Sequence, residues 1–173
     1  MNDQGETEHR RIGGVMQALA WMSLLAFGVF FFSDVLEKQH NPNQAPETRQ
    51  GSNGGAEVVL QRNRFGHYVT AGEINGQPVT FMLDTGATMV AVPAALARKL
   101  GLASGRAITY QTANGSSTGF AAMLDSVSVG GIRMNDVRAG ITPGLEGEEV
   151  LLGMSFLKNI DFTQRGNTLT LRQ

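Results

Sequence analysis

The hydrophobic and polar positions divide the chain into three segments. Residues 12–32 form an apolar run without a charged side chain, and residues 33–56 are polar and rich in Pro, Asn, Gln, Gly and Ser. From residue 57 to residue 173, short β-branched or aromatic runs alternate with turn residues. This pattern predicts an apolar helix, a linker and a folded domain built mainly of β-strands.

The apolar run at residues 12–32 has the length, about 20 residues, that a helix needs to cross a bilayer. A cleaved signal peptide is the alternative, but its apolar region is usually shorter and ends in small residues. Here the run ends in Phe30-Phe31-Phe32, and Arg10 and Arg11 precede it. We predict an uncleaved transmembrane helix, a cytoplasmic N-terminus of residues 1–11 and a main domain on the outer side.

Residues 33–56 have too few apolar side chains to bury enough surface to offset the entropy lost on ordering. The sequence therefore predicts a flexible tether between the membrane helix and the folded domain.

The folded domain, residues 57–173, contains two strong hairpin signals. Asn75-Gly76 and Asn114-Gly115 each lie between strand-like runs, and both turn positions accept a positive φ. Strands are predicted at residues 57–61, 67–74, 79–83, 107–112, 117–124, 125–129, 134–141 and 150–152, near residue 163 and at 168–171. Short helices are predicted at residues 93–100 and 153–158. The fold class is mainly β, with largely antiparallel strands.

Composition narrows the possible chemistry. The chain has 173 residues, a net charge of -1, no cysteine and three scattered histidines (His9, His40 and His67). The small net charge leaves no electrostatic footprint for nucleic acid. Without thiols or paired histidines, thiol catalysis and a metal site are disfavoured. We predict no cofactor, no metal and no nucleic-acid partner.

The candidate catalytic residue is Asp84, which follows an apolar strand and opens the turn Asp84-Thr85-Gly86. Gly86 has no side chain, so its amide can approach the carboxylate, and the Thr85 hydroxyl can bond to a backbone group. Asp and Gly are ordinary turn residues, so the three letters alone are weak evidence. The apolar strand before them and the sequence Ala87-Thr88 after them favour a carboxylate that is held rigidly.

Four stretches together resemble the retropepsin-like aspartic proteases, and more closely a bacterial membrane-anchored branch of them. They are residues 81–87, residues 91–102, residues 112–115 and residues 150–157, with matching order and spacing over about residues 57–172. The resemblance implies a single-lobe acid-protease barrel that follows an N-terminal transmembrane helix. It also implies an inner-membrane protein with a periplasmic protease domain.

The resemblance further implies roles for single residues. Asp84, Thr85 and Gly86 would form the catalytic turn, supported from behind by Leu151, Leu152 and Gly153. Residues 110–120 would form a hairpin flap over an extended peptide or an unfolded protein. The implied substrate contacts are Ala87, Tyr110, Thr112, Ala113, Asn114 and Gly115.

Peptide hydrolysis by carboxylates needs two of them facing one water molecule. The chain has one Asp-Thr-Gly, and Asp125, Asp136 and Asp161 are typical of turns or strand ends. We therefore expect a two-fold homodimer that supplies Asp84 twice. The terminal segments 57–61 and 168–173 are candidates for strands exchanged between the two copies.

A second hypothesis comes from a different functional class. A membrane-tethered peptide-binding or scaffold module with the same fold but without catalysis remains open, because a fold alone does not establish activity. The intact Asp84-Thr85-Gly86 turn favours the enzyme, since a pure binding module has no need of a desolvated carboxylate.

Overall fold

The computed structural model describes residues 3–51, 54–112 and 115–173. The chain forms two compact units, Met1–Lys38 and Gln39–Gln173. Helix α1 (Asp3–His40) makes up the first unit, and its last two residues belong to the second. From Gly13 onward this helix is long and apolar enough to cross a membrane.

The second unit is mainly β, which confirms the predicted fold class. Its two short helices are α2 (Ala94–Lys99) and α3 (Met154–Leu157). Its strands are β1 (Thr48–Gln50), β2 (Ala56–Gln61), β3 (Val69–Ile74), β4 (Gln77–Leu83), β5 (Val90–Pro93), β6 (Ala107–Thr112), β7 (Gly115–Val129), β8 (Ile132–Thr142), β9 (Glu149–Leu152), β10 (Asp161–Arg165) and β11 (Thr168–Arg172).

The strands form two sheets around one core. The larger sheet has the order β3-β4-β9-β5-β8-β7-β6, and β3 also pairs with β7, so the sheet closes on itself. The smaller sheet has the order β1-β2-β11-β10. Both sheets contribute to the same cluster of buried apolar side chains, which includes Leu60 and Leu171 from the smaller sheet and Phe81 and Phe156 from the rest.

Turn chemistry predicts the first hairpin correctly. Asn75 and Gly76 have φ values of 52° and 75°, and they join β3 to β4. The tip of the second hairpin, residues 113–114, lies outside the described residues, while β6 and β7 pair on either side of it. The predicted strands 117–124 and 125–129 form the single strand β7, and Asp125 and Asp136 lie within β7 and β8 rather than at turns or strand ends.

The segment predicted to be a flexible tether is largely structured. Helix α1 extends to His40, β1 pairs with β2, and Asn41 and Asn43 are buried. The side-chain oxygen of Asn43 accepts the Gln61 N–H at 2.7 Å, and its amide nitrogen donates to the carbonyls of Gln61 at 2.9 Å and Val69 at 2.7 Å. Composition did not indicate this structure, because hydrogen bonds rather than buried apolar surface hold Asn43 in place.

The terminal strands also differ from the expected arrangement. β2 pairs with β1 on one side and β11 on the other, and β11 lies between β2 and β10. In the part of the chain that the structure describes, β2 and β11 are therefore each paired on both sides within one copy. The outer strands of this sheet are β1 and β10.

Candidate active site

Asp84 directly follows β4, and the last residue of β4, Leu83, has a backbone partner on each side. β4 runs parallel to β9, with Leu83 opposite Leu152, and the Leu83 N–H donates to the carbonyl of Tyr68 at 3.0 Å. The Asp84 N–H then donates to the carbonyl of Leu152 at 3.2 Å. The backbone of Asp84 is therefore held by the strand predicted to support it.

The turn after Asp84 closes around its carboxylate. The Gly86 N–H donates to Oδ1 of Asp84 at 2.9 Å, and the Ala87 N–H donates to the Asp84 carbonyl at 3.2 Å. A Cβ on Gly86 would lie 3.1 Å from Oδ1, a closer approach than most side chains make. Asp84 and Ala87 are half-buried, whereas Thr85 and Gly86 are exposed. The carboxylate is thus oriented by an amide while its turn remains open to solvent.

Gly153 packs against the backbone of the segment that follows the turn. A Cβ at this position would lie 2.3 Å from the carbonyl oxygen of Met89 and 2.7 Å from that of Ala87. The next residue, Met154, donates its N–H to the Ala87 carbonyl at 2.8 Å. The start of α3 therefore packs directly on the backbone that continues from Asp84, which only glycine permits at residue 153.

Ser155 adds a contact that sequence reasoning missed. Its hydroxyl donates to the Arg138 carbonyl at 2.7 Å and accepts the Val90 N–H at 3.0 Å. It thereby links α3 to β8 and to the first residue of β5. The signal available in the sequence was a hydroxyl residue two positions after the apolar-apolar-Gly element that ends at Gly153.

The predicted substrate-contacting residues lie on one hairpin, apart from Ala87 in the turn. Tyr110 and Thr112 belong to β6 and Gly115 begins β7, while Ala113 and Asn114 lie outside the described residues. The hairpin adjoins the segment that follows Asp84 through β8. A Cβ on Gly140 would lie 3.3 Å from Sδ of Met89 and 3.6 Å from Cδ1 of Ile108.

Two side-chain contacts lie at the start of β9. Lys99 contacts Glu148, and its hydrogen bond and positive charge hold the pKa of Glu148 below the usual range. His40, the last residue of α1, contacts Glu149. These pairs join the segment that precedes Leu151 and Leu152 to α2 and to the entry of the second unit.

The turn supplies one oriented carboxylate per chain. In its ionised form it can accept a proton from water, but one group cannot at the same moment donate a proton to a carbonyl oxygen. The arrangement therefore gives half of a general acid–base pair.

Comparisons with known proteins agree with this geometry. The family model described as gag-polyprotein putative aspartyl protease matches residues 70–159. A solved retropepsin-like aspartic protease from Rickettsia conorii is 32% identical, with a TM-score of 0.59, and the match covers 73% of this chain and 94% of that one.

Two curated relatives are also similar to the chain. An uncharacterized protein in the cobV 5′ region of a Sinorhizobium species is 34% identical over 125 residues, which are 70% of this chain and 54% of the relative. The uncharacterized protein RP867 of Rickettsia prowazekii is 32% identical over 106 residues, which are 59% of this chain and 45% of the relative. The chain therefore spans about half the length of the curated relatives it matches.

Proposed function

The chain belongs to the family of retropepsin-like aspartic proteases, and on that premise we propose that it is an aspartic endopeptidase active as a homodimer. One observation carries the proposal. Asp84 is fixed at the end of β4 by the Leu152 carbonyl, while the Gly86 amide orients its carboxylate. The Gly86 bond alone is an ordinary Asx turn, so the proposal rests on the combination of that bond with the support that β9 gives to β4.

In the proposed reaction, two Asp84 carboxylates face one water molecule and share one proton. The ionised carboxylate takes a proton from the water, whose oxygen attacks the carbonyl carbon of the peptide. The protonated carboxylate gives its proton to the carbonyl oxygen, which yields a tetrahedral diol. The carboxyl group that took the proton from water then donates it to the amide nitrogen as the C–N bond breaks, while the other carboxylate takes a proton from one diol hydroxyl. This releases a carboxylic acid and an amine and restores one shared proton on the carboxylate pair.

The Gly86 amide has a defined part in this scheme. It donates to Oδ1 of Asp84, and we assign the second oxygen of the carboxylate to the contact with the water and the partner carboxylate. Leu151, Leu152 and Gly153 keep the turn at a fixed depth, because β9 runs beside β4 and Gly153 contacts the backbone at Met89. Thr85 completes the proposed catalytic turn.

We assign substrate binding to the β6–β7 hairpin and to Ala87. A hairpin that closes on an extended peptide supplies backbone hydrogen bonds and excludes water from the reacting bond. The residues proposed to contact an extended peptide or an unfolded protein are Ala87, Tyr110, Thr112, Ala113, Asn114 and Gly115.

Helix α1 is proposed as a single-pass anchor in a bacterial inner membrane, with the protease domain in the periplasm. Its length and apolar composition support an anchor, and Arg10 and Arg11 before it favour a cytoplasmic N-terminus. The similar proteins from Sinorhizobium and Rickettsia support a bacterial setting.

The test is cleavage of a peptide library by the full-length chain in detergent micelles, from mildly acidic to neutral pH. We expect cleavage by the native chain and a loss of at least about a hundredfold in the Asp84→Asn variant, since general acid–base groups contribute that much or more. Asp125→Asn is the matched control, because Asp125 is exposed on β7.

The alternative is the membrane-tethered module that binds peptides or serves as a scaffold without cutting. If the native chain is folded and dimeric but cleaves no peptide in this pH range, the binding-module hypothesis replaces the enzyme hypothesis.

A further inference from the structure

The loop between β2 and β3, residues 62–68, exposes an aromatic ring among basic side chains. Phe65 is 60% exposed, more than any other large apolar side chain described in the second unit. Arg62, Arg64 and His67 beside it are also exposed. This combination matches the boundary of a bilayer, where acyl chains take up an apolar ring and anionic headgroups attract cations.

Buried Asn63 holds this loop in one conformation. Its side-chain oxygen accepts the N–H of Phe65 at 3.0 Å and that of His67 at 2.9 Å. The Gly66 N–H donates to the Asn63 carbonyl at 3.1 Å, and Gly66 has a φ of 90°, a conformation that favours glycine. These bonds fix the backbone of the turn, and Phe65 stays exposed within it.

The same loop is bonded to Gln39 and His40, the first two residues of the second unit. The Asn63 amide nitrogen donates to the His40 carbonyl at 2.9 Å, and Nη1 of Arg64 donates to Oε1 of Gln39 at 2.6 Å. The ring centroids of His40 and Phe65 are 6.4 Å apart. The exposed ring is therefore tied to the place where the chain enters the folded domain.

The length of the chain limits the distance between this loop and a membrane that holds the apolar run. Residues 33–38 lie between Phe32, the last residue of that run, and Gln39. In any conformation this segment spans at most about 25 Å. An anchored apolar run would therefore keep Phe65 and the neighbouring arginines near one bilayer surface.

A third arginine lies beside the loop. The Arg62 N–H donates to the carbonyl of Asn167 at 2.8 Å, which places the turn between β10 and β11 next to it. Arg165, the last residue of β10, is exposed at that turn. Among the described residues, none of Arg62, Arg64 and Arg165 forms an ion pair with a carboxylate. Their charges are complementary to an anionic lipid surface.

We propose that the β2–β3 loop, with Arg165 beside it, is a second membrane contact of this protein. Phe65 enters the acyl boundary of the bilayer, and the arginines bind the phosphates of anionic lipids. The inference rests on the membrane anchor assigned to α1 in the proposed function. An anchor alone leaves the folded domain free to turn, whereas a second contact determines which side of the domain faces the bilayer.

Tryptophan fluorescence tests whether residue 65 lies in lipid. The full-length chain is reconstituted into vesicles of phosphatidylcholine and phosphatidylglycerol, and Trp21→Phe removes its single tryptophan. In that background Phe65→Trp supplies one reporter, and Met123→Trp is the matched control, because Met123 is 56% exposed on β7. Lipid brominated near the headgroup end of its acyl chains should quench the reporter at residue 65 at least about twofold more than the control. Its emission should also shift to the blue.

Charge removal tests the role of the arginines. Arg62→Gln with Arg165→Gln removes two cations beside Phe65, and Arg106→Gln with Arg138→Gln removes two at other exposed positions as the control. We expect the ratio of lipid-bound to free loop, derived from the quenched fraction, to fall about tenfold in the first pair and to stay within about twofold of native in the control. Vesicles of phosphatidylcholine alone should lower the ratio as the first pair does.

A second reporter keeps the test independent of the folding of Phe65→Trp. The chain has no cysteine, so His67→Cys carries one nitroxide label and leaves Phe65 in place. In anionic vesicles we expect this label to be more accessible to oxygen than to a water-soluble nickel complex. Ser104→Cys, in an exposed loop, is the control and should show the opposite preference.

Extraction of the vesicles with alkaline carbonate tests the anchor separately. A retained chain whose reporters at residues 65 and 67 stay in water would overturn the proposed surface and leave the anchor standing. An extracted chain whose reporters still enter anionic vesicles at neutral pH would refute the anchor and leave the surface standing. Reporters that ignore lipid but shift to the blue with added polyglutamate would overturn the proposal and assign the loop to an acidic polypeptide.

Discussion

Gly153 and Met89 approach so closely that no side chain fits between them. A Cβ on Gly153 would lie 2.3 Å from the Met89 carbonyl oxygen, and that oxygen belongs to backbone that cannot rotate aside. The segment after Asp84 can therefore keep its position only because Gly153, about seventy residues further along the chain, has no side chain.

The first prediction concerns Gly153→Ala. The added methyl group must push the segment after Asp84 outward, so we expect kcat for the proposed peptide cleavage to fall about a hundredfold, as for misplacements of about 1 Å. The free energy of unfolding should fall by about 1–3 kcal/mol through overpacking. Gly144→Ala is the control, because its nearest neighbour would be 3.9 Å away. Native activity in Gly153→Ala would contradict the proposed supporting role.

The second prediction concerns Asn43→Ala. The change leaves the N–H and carbonyl of Gln61 and the carbonyl of Val69 without the partner they have now. An unsatisfied buried polar group costs about 1–3 kcal/mol, and the Val69 carbonyl is buried. We therefore expect the free energy of unfolding, measured with urea, to fall by at least about 1 kcal/mol. Asn135→Ala, at an exposed position of β8, should change stability by less than about 0.5 kcal/mol. Equal effects of the two changes would refute the structural role of Asn43.

The third prediction concerns Ser155→Ala. Loss of the hydroxyl removes its bonds to Val90 and Arg138, and each such bond is worth about 0.5–1.5 kcal/mol. We expect kcat to fall several-fold with a smaller change in KM, because the hydroxyl steadies the segment after Asp84 without lying on the hairpin proposed to contact the substrate. Ser104→Ala, in an exposed loop, is the control and should leave both constants unchanged. A rise in KM alone would place Ser155 in substrate binding instead.

The fourth prediction concerns the pH dependence of stability through Glu148. Lys99 lowers the pKa of Glu148 in the folded chain, first by a hydrogen bond and then by its charge, from the ordinary value of 4.5. A carboxyl group with a lowered folded pKa stabilises the fold above its unfolded pKa and loses this contribution as the pH falls through the folded value. The native chain should therefore have a slightly higher free energy of unfolding in urea than the Glu148→Gln chain at neutral pH. The two values should converge in acid. Added salt should reduce the difference, and a difference that grows in acid would contradict the assignment.

Local chemistry in the sequence predicted much of the fold. The Asn75-Gly76 turn, the strand that ends at Asp84 and the helix after Pro93 were all readable, because each depends on neighbours within a few residues. Asp84 itself stood out since an apolar strand that delivers a carboxylate into a glycine turn is an uncommon local pattern.

Features that depend on distant partners could not be read in the same way. Asn43 is buried because backbone groups of Gln61 and Val69 happen to face it, and nothing near residue 43 signals this. Ser155 depends likewise on Val90 and Arg138. The pairing of β2 with β11 within one chain follows from long-range topology, so the sequence left open whether these strands pair within one copy or between two.

The burial of Asn43 limits the range of movement that the proposed protease could have on a membrane anchor. Had residues 33–56 been a free coil, the folded domain could range roughly 25–30 Å from the membrane anchor. With Asn41 and Asn43 buried in the domain and β1 paired with β2, much of that segment belongs to the folded domain and cannot act as a spacer. The proposed protease would therefore have a smaller range of movement than the composition of residues 33–56 indicates. Its copies would find one another by a search in two dimensions rather than three.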